Sequence, residues 1–423
     1  MTESRAAKLR RLWLNVHLWI GVGLTLLLVP ISISGGLLVY HDEIDALLSP
    51  HRYAVTGSQA AQSPAVYLAK ASEAVAADPD KLVATGVRYS DDGGPVRVVT
   101  RAQNSGAGGR PRFVTVFLDP PTAAVLDVME FRSSFIGFLH VFHENLMLPQ
   151  YSGRQIVGWA GVGMLILSLT GIWLWWPRNG GFLRGLRWKR SPLFTFNLHN
   201  MLGFWIAIPL AVVSLTGIYL SFPQTARSMM SSIATMSPQG PRGGFGATVA
   251  TQTALTPERA LALAQAAVPD AKPATLFLPT APAGGRERQP SANPRQSPSG
   301  DRAEGRDGAP RSEAGAARNL SWRVQLTRGE EDITVTVDDA TGSARMAPPP
   351  QTGDRAARWM RWIHEGSHSG AVWTVIVFLT GVFPPIFAVT GIIMWLRKRA
   401  ARKALENMRF AGTAKGAELH PAE

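Results

Sequence analysis

Histidines at repeated spacings are the residues of this 423-residue sequence that could do chemistry. His17 is followed by a Ser-Gly pair that ends at Gly35, and His199 is followed by a Thr-Gly pair that ends at Gly217. The interval from histidine to glycine is the same in both cases, and each histidine has another Gly at its i+4 position. A pattern that recurs in this way indicates an internal repeat.

A second set of histidines follows a related pattern. His143 lies in a Phe-His-Glu run before Gly171, and His364 lies in an Ile-His-Glu run before Gly391, at intervals that differ by a single position. Both glycines belong to Thr-Gly-Ile segments. The sequence therefore predicts that a half made of a helix, an outer module and a second helix occurs twice.

Two imidazoles at one depth on facing helices can supply both axial nitrogens to a haem iron, with the macrocycle between the helices. The sequence contains no Cys, which excludes disulfides, thiolate nucleophiles, thiolate-ligated haem and cysteine-bound iron–sulfur clusters. A redox metal in this chain must therefore be held by His, Met or carboxylate groups. The ordinary alternative is that histidines near span ends cap helices or bind lipid headgroups.

Two further histidines accompany the second set. His140 and His368 are spaced i,i+3 and i,i+4 from their neighbours, so we expect each to share a helix face with its neighbour. Either could orient a haem propionate or serve as an alternative ligand. The run from His364 to His368 also fits the HExxH zinc pattern, but Gly366 and Ser367 favour a turn over the middle of a helix. Three histidines are interpreted as non-ligands: His41, His51 and His420.

Four long apolar runs must position these histidines. Each is long enough to cross a hydrocarbon core of about 30 Å as a helix, which excludes a soluble enzyme. The first follows a basic N-terminus, but it is too long for a signal peptide and no small-residue cleavage site follows it, so an uncleaved helix is predicted. The predicted spans are Leu14 to Tyr40, Ile156 to Trp176, about Leu198 to Phe222 and about Val372 to Leu396.

The net charge of +13 is concentrated beside these spans. Basic clusters precede the first span, fill the loop between the second and third, and follow the fourth. These three places lie on one side of a four-span chain, which the positive-inside rule makes cytoplasmic. Both termini are then cytoplasmic, and the two long loops are periplasmic. The charge indicates membrane topology and no nucleic-acid binding, since no base-reading motif accompanies it.

Each long loop contains the same order of elements. A helix is predicted from Ser63 to Ala77 and another from Thr256, the expected N-cap, to about Val268. Alternating strands follow each helix. The segment 281–318 is rich in Gly, Pro, Arg and Ser and is predicted to be disordered. The strands are predicted at Val96 to Thr100, Arg112 to Asp119, Trp322 to Thr327 and Ile333 to Val337.

The predicted fold is a mainly α membrane protein with four transmembrane helices in two repeated halves and two small α+β periplasmic modules. The predicted boundaries are 1–41 for the cytoplasmic N-terminus and first helix, 42–154 for the first module, 155–222 for helices two and three, 223–370 for the second module with its insert, 371–396 for helix four and 397–423 for the cytoplasmic tail.

Several motifs resemble the PepSY-associated transmembrane proteins. Asp338 and Gly342 lie in a segment similar to the closing turn of a PepSY module, and the segment from Phe117 to Thr122 is a weaker counterpart without the Gly. The resemblance covers nearly the whole chain outside 281–318. The transmembrane motifs that carry it are RLWLNVHLWIG at 11–21, GRQIVG at 153–158, WLWWPR at 173–178 and VTGIIMW at 389–395.

The resemblance implies a function. Members of that family include bacterial inner-membrane ferric-siderophore reductases with b-type haem, and by matching position the haem ligands here would be His17, His199, His143 and His364. We therefore expect an electron-transfer oxidoreductase with two haems, one held by His17 and His199 near the cytoplasmic face and one held by His143 or His140 with His364 near the outer face. It would reduce periplasmic Fe(III), held by a siderophore or another chelator, for iron uptake.

Two alternatives from other classes stay open. One is a haem-free envelope protein whose PepSY modules bind a peptide or regulate a protease, and the other is a transporter of haem or metal. The sequence carries no FAD or NAD fingerprint, so the reducing power must come from a partner such as a quinol or a cytoplasmic reductase. The siderophore, the choice between neighbouring outer histidines, the number of haems and the oligomeric state are left open.

Overall fold

The computed structural model describes residues 5–103, 112–177, 182–188, 190–237, 248–250, 252–281, 320–329 and 331–418. Contacts divide the chain into two compact units. The first, here the helical unit, comprises 1–44, 135–237 and 350–423, and the second, here the sheet unit, comprises 45–134 and 238–349. The predicted insertion 281–318 falls outside the described residues except for Ala281, and His420 also falls outside them.

Four long apolar helices form the helical unit and confirm the predicted spans. Each begins before the predicted apolar run, because residues at a helix end can remain helical outside a hydrocarbon core; α1, α5 and α7 end one or two residues before the predicted run does, and α11 continues well past it. Helix α5 begins abruptly at Gly153, where a Cβ would lie 1.9 Å from the carbonyl oxygen of Asn145. The four helices are α1 (Arg5–Leu38), α5 (Gly153–Trp175), α7 (Phe194–Ser221) and α11 (Ala371–Glu418).

Shorter helices accompany the long ones. Helix α4 carries both His140 and His143, which confirms that these two residues lie on one helix, as their i,i+3 spacing predicts. Helix α10 ends at Glu365, because Gly366 and then His368 adopt left-handed backbone conformations with φ of +77° and +53°. The shorter helices are α2 (His41–Leu48), α4 (Phe135–Asn145), α6 (Phe182–Gly185), α8 (Pro223–Ile233) and α10 (Thr352–Glu365).

The end of α10 corrects one prediction. His364 and His368 do not share a helix face, since His364 is in the last turn of α10 and His368 lies in the following loop. A left-handed Gly terminates a helix by allowing backbone N–H groups to bond back to its last carbonyls, and Gly366 N–H donates to Trp362 O at 2.9 Å. The HExxH arrangement of one helix is therefore absent between these two histidines.

Small residues let α1 and α11 approach closely. A Cβ on Gly381 would lie 2.5 Å from the Cα of Gly36, so the two backbones are in direct contact. Helices in membranes associate through such contacts because lipid tails remove the hydrophobic drive for packing. A small apolar cluster joins α1, α5 and α7 and contains Leu28, Ala160, Met164 and Leu210.

The sheet unit contains one eight-stranded sheet that is antiparallel throughout. Its order is β10-β9-β8-β6-β1-β2-β3-β4, so the pairing of β1 with β6 joins strands from both loops. Strands β5 and β7 form a separate pair. The strands are β1 (Leu82–Arg88), β2 (Val96–Ala102), β3 (Phe113–Leu118), β4 (Val125–Glu130), β5 (Thr248–Val249), β6 (Lys272–Phe277), β7 (Thr280–Ala281), β8 (Ser321–Arg328), β9 (Glu331–Asp338) and β10 (Ala344–Met346).

The sheet unit contains two clusters of buried apolar residues, and one helix packs on the sheet at each cluster. Helix α3 (Pro64–Ala74) buries Tyr67 and Ala71 against β1 to β3, and α9 (Pro257–Ala267) buries Ala260 and Ala264 against β6, β8 and β9. Thr256 accepts a hydrogen bond from Arg259 N–H at 3.3 Å, which confirms the predicted N-cap. All four predicted strands are present, as β2, β3, β8 and β9, whereas the other six described strands were not predicted.

Two turns close β3 and β9 in the same way. Gly342 N–H donates to Asp338 O at 2.9 Å, and Ala123 N–H donates to Asp119 O at 2.8 Å. Gly342 has a φ of +70° and Ala123 a φ of +58°. The left-handed conformation favours Gly, so Ala123, immediately after the segment identified as the weaker counterpart, adopts a costlier conformation than Gly342 does.

Asp119 holds this first turn together. Its carboxylate, 1% exposed, accepts hydrogen bonds from Thr56 N–H, the Thr56 hydroxyl and the Thr122 hydroxyl at 2.7, 2.7 and 2.5 Å. Burial by itself raises the pKa of Asp119, but the hydrogen bonds from Thr122 and Thr56 outweigh it and hold the pKa below its usual value.

We predict that Asp119→Ala lowers the free energy of unfolding of the sheet unit by about 2–4 kcal/mol, because three donors lose a charged acceptor. Asp91→Ala, at an exposed aspartate in a loop of the same unit, should change it little. Pulse proteolysis of the full chain in detergent measures the difference. Because the folded pKa is depressed, the contribution of Asp119 should be complete above about pH 4 and decrease as the pH falls further. Equal losses in both variants would contradict this role.

Candidate functional site

The first histidine pair joins two long helices. His17 on α1 and His199 on α7 face each other with ring centres 6.3 Å apart and ring planes at 79°. The two side chains lie inside the helical unit, as the repeated spacing predicts for residues at matching positions. We refer to His17 and His199 as the first pair.

A threonine on a neighbouring helix fixes each ring of the first pair. His17 Nδ1 lies 2.8 Å from Thr170 Oγ1 on α5, and His199 Nδ1 lies 2.9 Å from Thr390 Oγ1 on α11. Each threonine hydroxyl donates to a carbonyl of its own helix at 2.7 Å. The hydroxyl therefore accepts from the imidazole, so Nδ1 carries the proton and Nε2 carries the lone pair.

The second histidine pair joins the two short helices that precede α5 and α11. His143 on α4 and His364 on α10 have ring centres 6.2 Å apart and ring planes at 41°. We refer to them as the second pair. Sequence reasoning left the choice between neighbouring histidines open, and the structure brings His143 together with His364.

Backbone carbonyls fix the rings of the second pair. His143 Nδ1 lies 3.0 Å from Ile31 O on α1, and His364 Nδ1 lies 3.0 Å from Val213 O on α7. The hydroxyls of Ser34 and Thr216 lie 3.3 Å from the same nitrogens. A carbonyl can only accept, so Nδ1 is protonated in both rings and Nε2 is the basic nitrogen.

Glycines make room for the second pair. A Cβ on Gly35 would lie 2.6 Å from His143 Cε1, and a Cβ on Gly217 would lie 2.8 Å from His364 Cε1. Both distances are shorter than a real contact, so each ring rests directly on a glycine backbone. The corresponding distances in the first pair are ordinary contacts, 3.6 Å from Gly171 to His17 and 3.7 Å from Gly391 to His199. Each glycine therefore contacts a histidine of the other pair rather than the one with which it recurs in sequence: Gly35 and Gly217 follow the first pair but contact the second, and Gly171 and Gly391 follow the second pair but contact the first.

The spacing of both pairs fits two axial ligands of one metal ion. A metal–imidazole bond is about 2.0 Å long and the ring nitrogen is about 1.15 Å from the ring centre, so two imidazoles on opposite sides of one ion have ring centres about 6.3 Å apart. The observed values are 6.3 and 6.2 Å. Every hydrogen bond that the structure describes for these four rings uses Nδ1. The residues present therefore fit a bis-imidazole haem site at each pair.

Glycines near the first pair leave open space on α1 and α7. A Cβ on Gly203, one helical turn after His199, would meet no atom within 4 Å, and a Cβ on Gly21, one turn after His17, would meet only Leu167 at 3.7 Å. Small residues at these positions therefore leave open space one helical turn from each histidine of the first pair.

The remaining candidates lie elsewhere in the helical unit. The ring of His140 faces His41, with ring centres 6.0 Å apart, and the ring of His368 lies over Trp362, with ring centres 4.6 Å apart. The structure therefore does not bring His140 or His368 into the second pair. Within the described ranges, no group of three or more His, Asp and Glu side chains is arranged to hold a metal ion, which offers no support for a zinc site.

Sequence reasoning missed the acceptors of the imidazole Nδ1–H groups. The Thr-Gly and Ser-Gly motifs indicated helix ends, whereas their hydroxyls at Thr170 and Thr390 contact the first pair directly. Their positions immediately before the recurring glycines were the signal that could have identified them.

Two comparisons with known proteins complete the description of the site. Residues 14–398 match the family described as the PepSY-associated TM region. The match includes all four histidines of the two pairs and most of both units. A comparison with curated proteins finds no match.

We predict that Gly35→Ala lowers the free energy of unfolding of the helical unit by about 1–3 kcal/mol, because its methyl group would displace the His143 ring or the α1 backbone. Gly23→Ala is the matched control on the same helix, since its methyl group would meet no atom within 4 Å. The control should be neutral or stabilising, because Ala has the higher helix propensity. Thermal unfolding in detergent compares the variants, and a Gly35→Ala protein as stable as the control would contradict the close contact.

Proposed function

The chain belongs to the family of the PepSY-associated TM region, and on that premise we propose that it is a haem-b-containing reductase of the bacterial inner membrane. It would take electrons from the cytoplasmic side and reduce Fe(III) on the periplasmic side. The observation that carries this proposal is the presence of two histidine pairs whose ring spacings, 6.3 and 6.2 Å, suit a six-coordinate iron.

The positions of the two pairs along α1 support a path across the membrane. His17 belongs to the first pair, and Gly35, on which His143 of the second pair rests, comes later on the same helix. At about 1.5 Å of rise per residue, His17 and Gly35 are separated by about 27 Å along the helix, close to the thickness of a hydrocarbon core of about 30 Å. The two pairs would thus serve opposite faces of the bilayer.

Charge indicates which face is cytoplasmic. Arg10, before the first pair on α1, donates to Leu174 O at the end of α5, and Arg190, before α7, donates to Trp175 O. Arginines at this end satisfy the last carbonyls of α5 and place positive charge where the positive-inside rule expects the cytoplasm. The first pair would then be the cytoplasmic one and the second pair the periplasmic one, with the sheet unit in the periplasm.

The chemistry of the donor set favours electron transfer. Haem b bound at each pair would supply a one-electron carrier with no open coordination position. The residues of the chain hold each imidazole in one tautomer through its Nδ1–H, fix the orientation of the ring and leave the basic Nε2 as the nitrogen that could bind a metal. Such a site would suit electron transfer rather than oxygen binding.

Iron reduction gives this electron transfer a purpose. Siderophores and similar chelators bind Fe(III), a hard ion, through oxygen donors, and hard ligands hold the softer Fe(II) less well. One electron therefore releases the metal while the chelator remains intact. The electron donor would be a quinol or a cytoplasmic reductase, and the ferric chelate would be the substrate.

A visible spectrum of the purified chain tests the proposal directly. Low-spin haem b bands should sharpen on addition of a reductant and fade again on addition of a ferric siderophore. Protein without haem, purified from cells that can supply haem, would instead support a haem-free PepSY protein that binds a peptide. Haem that is present but not oxidised by the ferric chelate would favour a transporter.

We predict that His199→Ala halves the haem content per polypeptide and abolishes ferric reduction, because one of the two pairs loses a ligand. His51→Ala, which removes an exposed histidine of the sheet unit, should retain both haems. The pyridine haemochrome assay measures haem, and a ferrous-specific chelator measures reduction. An unchanged haem content in His199→Ala would remove His199 from the ligand set.

We also predict that Thr170→Val raises the reduction potential associated with the first pair. Loss of the acceptor of His17 Nδ1–H makes the imidazole less basic, which disfavours the ferric state. One hydrogen bond is worth about 1 kcal/mol, which corresponds to roughly 40 mV for one electron.

Thr25→Val is the matched control for this measurement. Thr25 also donates to the carbonyl four residues earlier, Gly21 O, at 2.6 Å, but it is not the threonine that contacts His17. Potentiometric titration followed by absorbance should show a shift for Thr170→Val only. Identical potentials in the wild type and both variants would contradict a tuning role for Thr170.

A further inference from the structure

A third pair of histidines lies in the helical unit outside the two proposed haem sites. His41 is the first residue of α2 and His140 is one turn before His143 on α4. Their ring centres are 6.0 Å apart and their planes are nearly perpendicular, at 87°. The sequence predicted no ligand role for His41 and only an alternative haem role for His140.

Hydrogen bonds fix the tautomer of both rings. His41 Nδ1 lies 3.0 Å from Leu38 O, and His140 Nδ1 lies 3.2 Å from Ile136 O. Because a carbonyl only accepts, each neutral ring carries its proton on Nδ1 and its lone pair on Nε2. The two rings therefore have the tautomer required of a metal ligand.

A carboxylate accompanies the pair, and water reaches it. Asp42 Oδ2 lies 3.6 Å from His41 Nε2, and the side chains of His41 and Asp42 are 47% and 66% exposed. Among the described residues, no three carboxylate or imidazole groups are arranged to hold one metal ion. A metal ion here would thus have two imidazole ligands, with water or Asp42 in its remaining positions.

Imidazole nitrogen selects a class of metal ion. It suits the borderline divalent ions of the first transition series, including Fe(II) and Zn(II), whereas hard Fe(III) prefers oxygen donors. Two imidazoles with a nearby carboxylate and open positions form a donor set typical of Fe(II). The same site would therefore bind iron after its reduction better than before it.

We propose that His41 and His140 form a binding site for a divalent first-row transition-metal ion beside the second pair. The idea that this site receives Fe(II) rests on the proposed reductase function. The binding of a divalent metal ion itself depends only on His41 and His140. A turn of helix α4 separates His140 from His143, so the ion would be bound close to the place where reduction is proposed to occur.

The observed spacing requires only a small closure. Two imidazoles on a tetrahedral ion have ring centres about 5.2 Å apart, compared with 6.0 Å here. Rotation of the exposed His41 side chain can supply this change of less than 1 Å. Its incomplete protein ligand set suits an ion that must be released again.

Zinc binding to the full-length, tag-free chain in detergent tests the proposal. The protein is dialysed against buffers of fixed free Zn²⁺, and bound zinc and iron are counted by mass spectrometry. We expect one zinc site whose affinity falls roughly tenfold or more in His41→Ala and in His140→Ala, because one of two imidazoles is lost. Fe(II), added anaerobically, should compete with zinc for this site only in large excess, because Fe(II) binds nitrogen and oxygen ligands more weakly than Zn(II).

His51→Ala is the matched control. His51 Nε2 also lies 3.6 Å from a carboxylate, that of Asp127, and its side chain is likewise exposed at 63%, but it has no facing imidazole among the described residues. Zinc affinity should be unchanged in this variant. Equal zinc affinity in all variants would overturn the proposal.

Haem content, measured in the same samples, separates this inference from the reductase proposal. Unchanged haem in His41→Ala and His140→Ala, together with lost zinc binding, is the expected result. Haem loss in His140→Ala would assign His140 to a haem site and overturn the inference. A wild-type chain that binds zinc through His41 and His140 but contains no haem would leave the metal site in place while the reductase proposal fails.

Discussion

A hydrogen bond from each imidazole Nδ1 to a neighbouring helix is the interaction on which the helical unit depends. An imidazole inside a membrane bundle is costly unless its polar atoms are satisfied. The four paired rings meet this requirement by contacts between elements, with Thr170 and Thr390 as acceptors for one pair and the carbonyls of Ile31 and Val213 for the other. These bonds connect α1 to α5, α7 to α11, α4 to α1 and α10 to α7. The polar groups that could bind a cofactor thus also specify which helices are neighbours.

The choice of acceptor explains where glycine is required. A threonine hydroxyl extends outward from its helix, so His17 can reach Thr170 while remaining 3.6 Å from a Cβ on Gly171. A backbone carbonyl inside a helix is reached only if the ring approaches the helix itself. His143 does so against α1, where any residue larger than Gly35 would collide with its Cε1. Glycine is therefore obligatory beside the second pair and only favourable beside the first.

The sequence predicted the features that depend on local pattern. Spans, strands with strict alternation, the N-cap at Thr256 and the recurrence of histidine with glycine could all be found from neighbouring residues. Features that depend on distant contacts could not. The pairing of β1 with β6 places a Cβ on Gly86 2.5 Å from Leu276 O, and nothing near Gly86 in sequence indicates that partner. The contact of His41 with His140 joins residues near the two ends of the first long loop. The prediction that His368 shares a helix face with His364 was wrong for a local reason, since Gly366 ends α10 before His368.

The two histidine pairs are chemically unequal although their spacings agree. A carbonyl acceptor cannot donate, so the second pair is restricted to one tautomer whenever its rings are neutral. A threonine hydroxyl can exchange its donor and acceptor roles, although here its bond to the i−4 carbonyl at 2.7 Å opposes that exchange in both threonines. The first pair is therefore held by a relay that ends on a backbone carbonyl, and the second pair by the carbonyl itself. Because second-shell hydrogen bonds tune the basicity of a ligating imidazole, haems bound at the two pairs, as proposed, would differ in reduction potential although their ligands are of the same type.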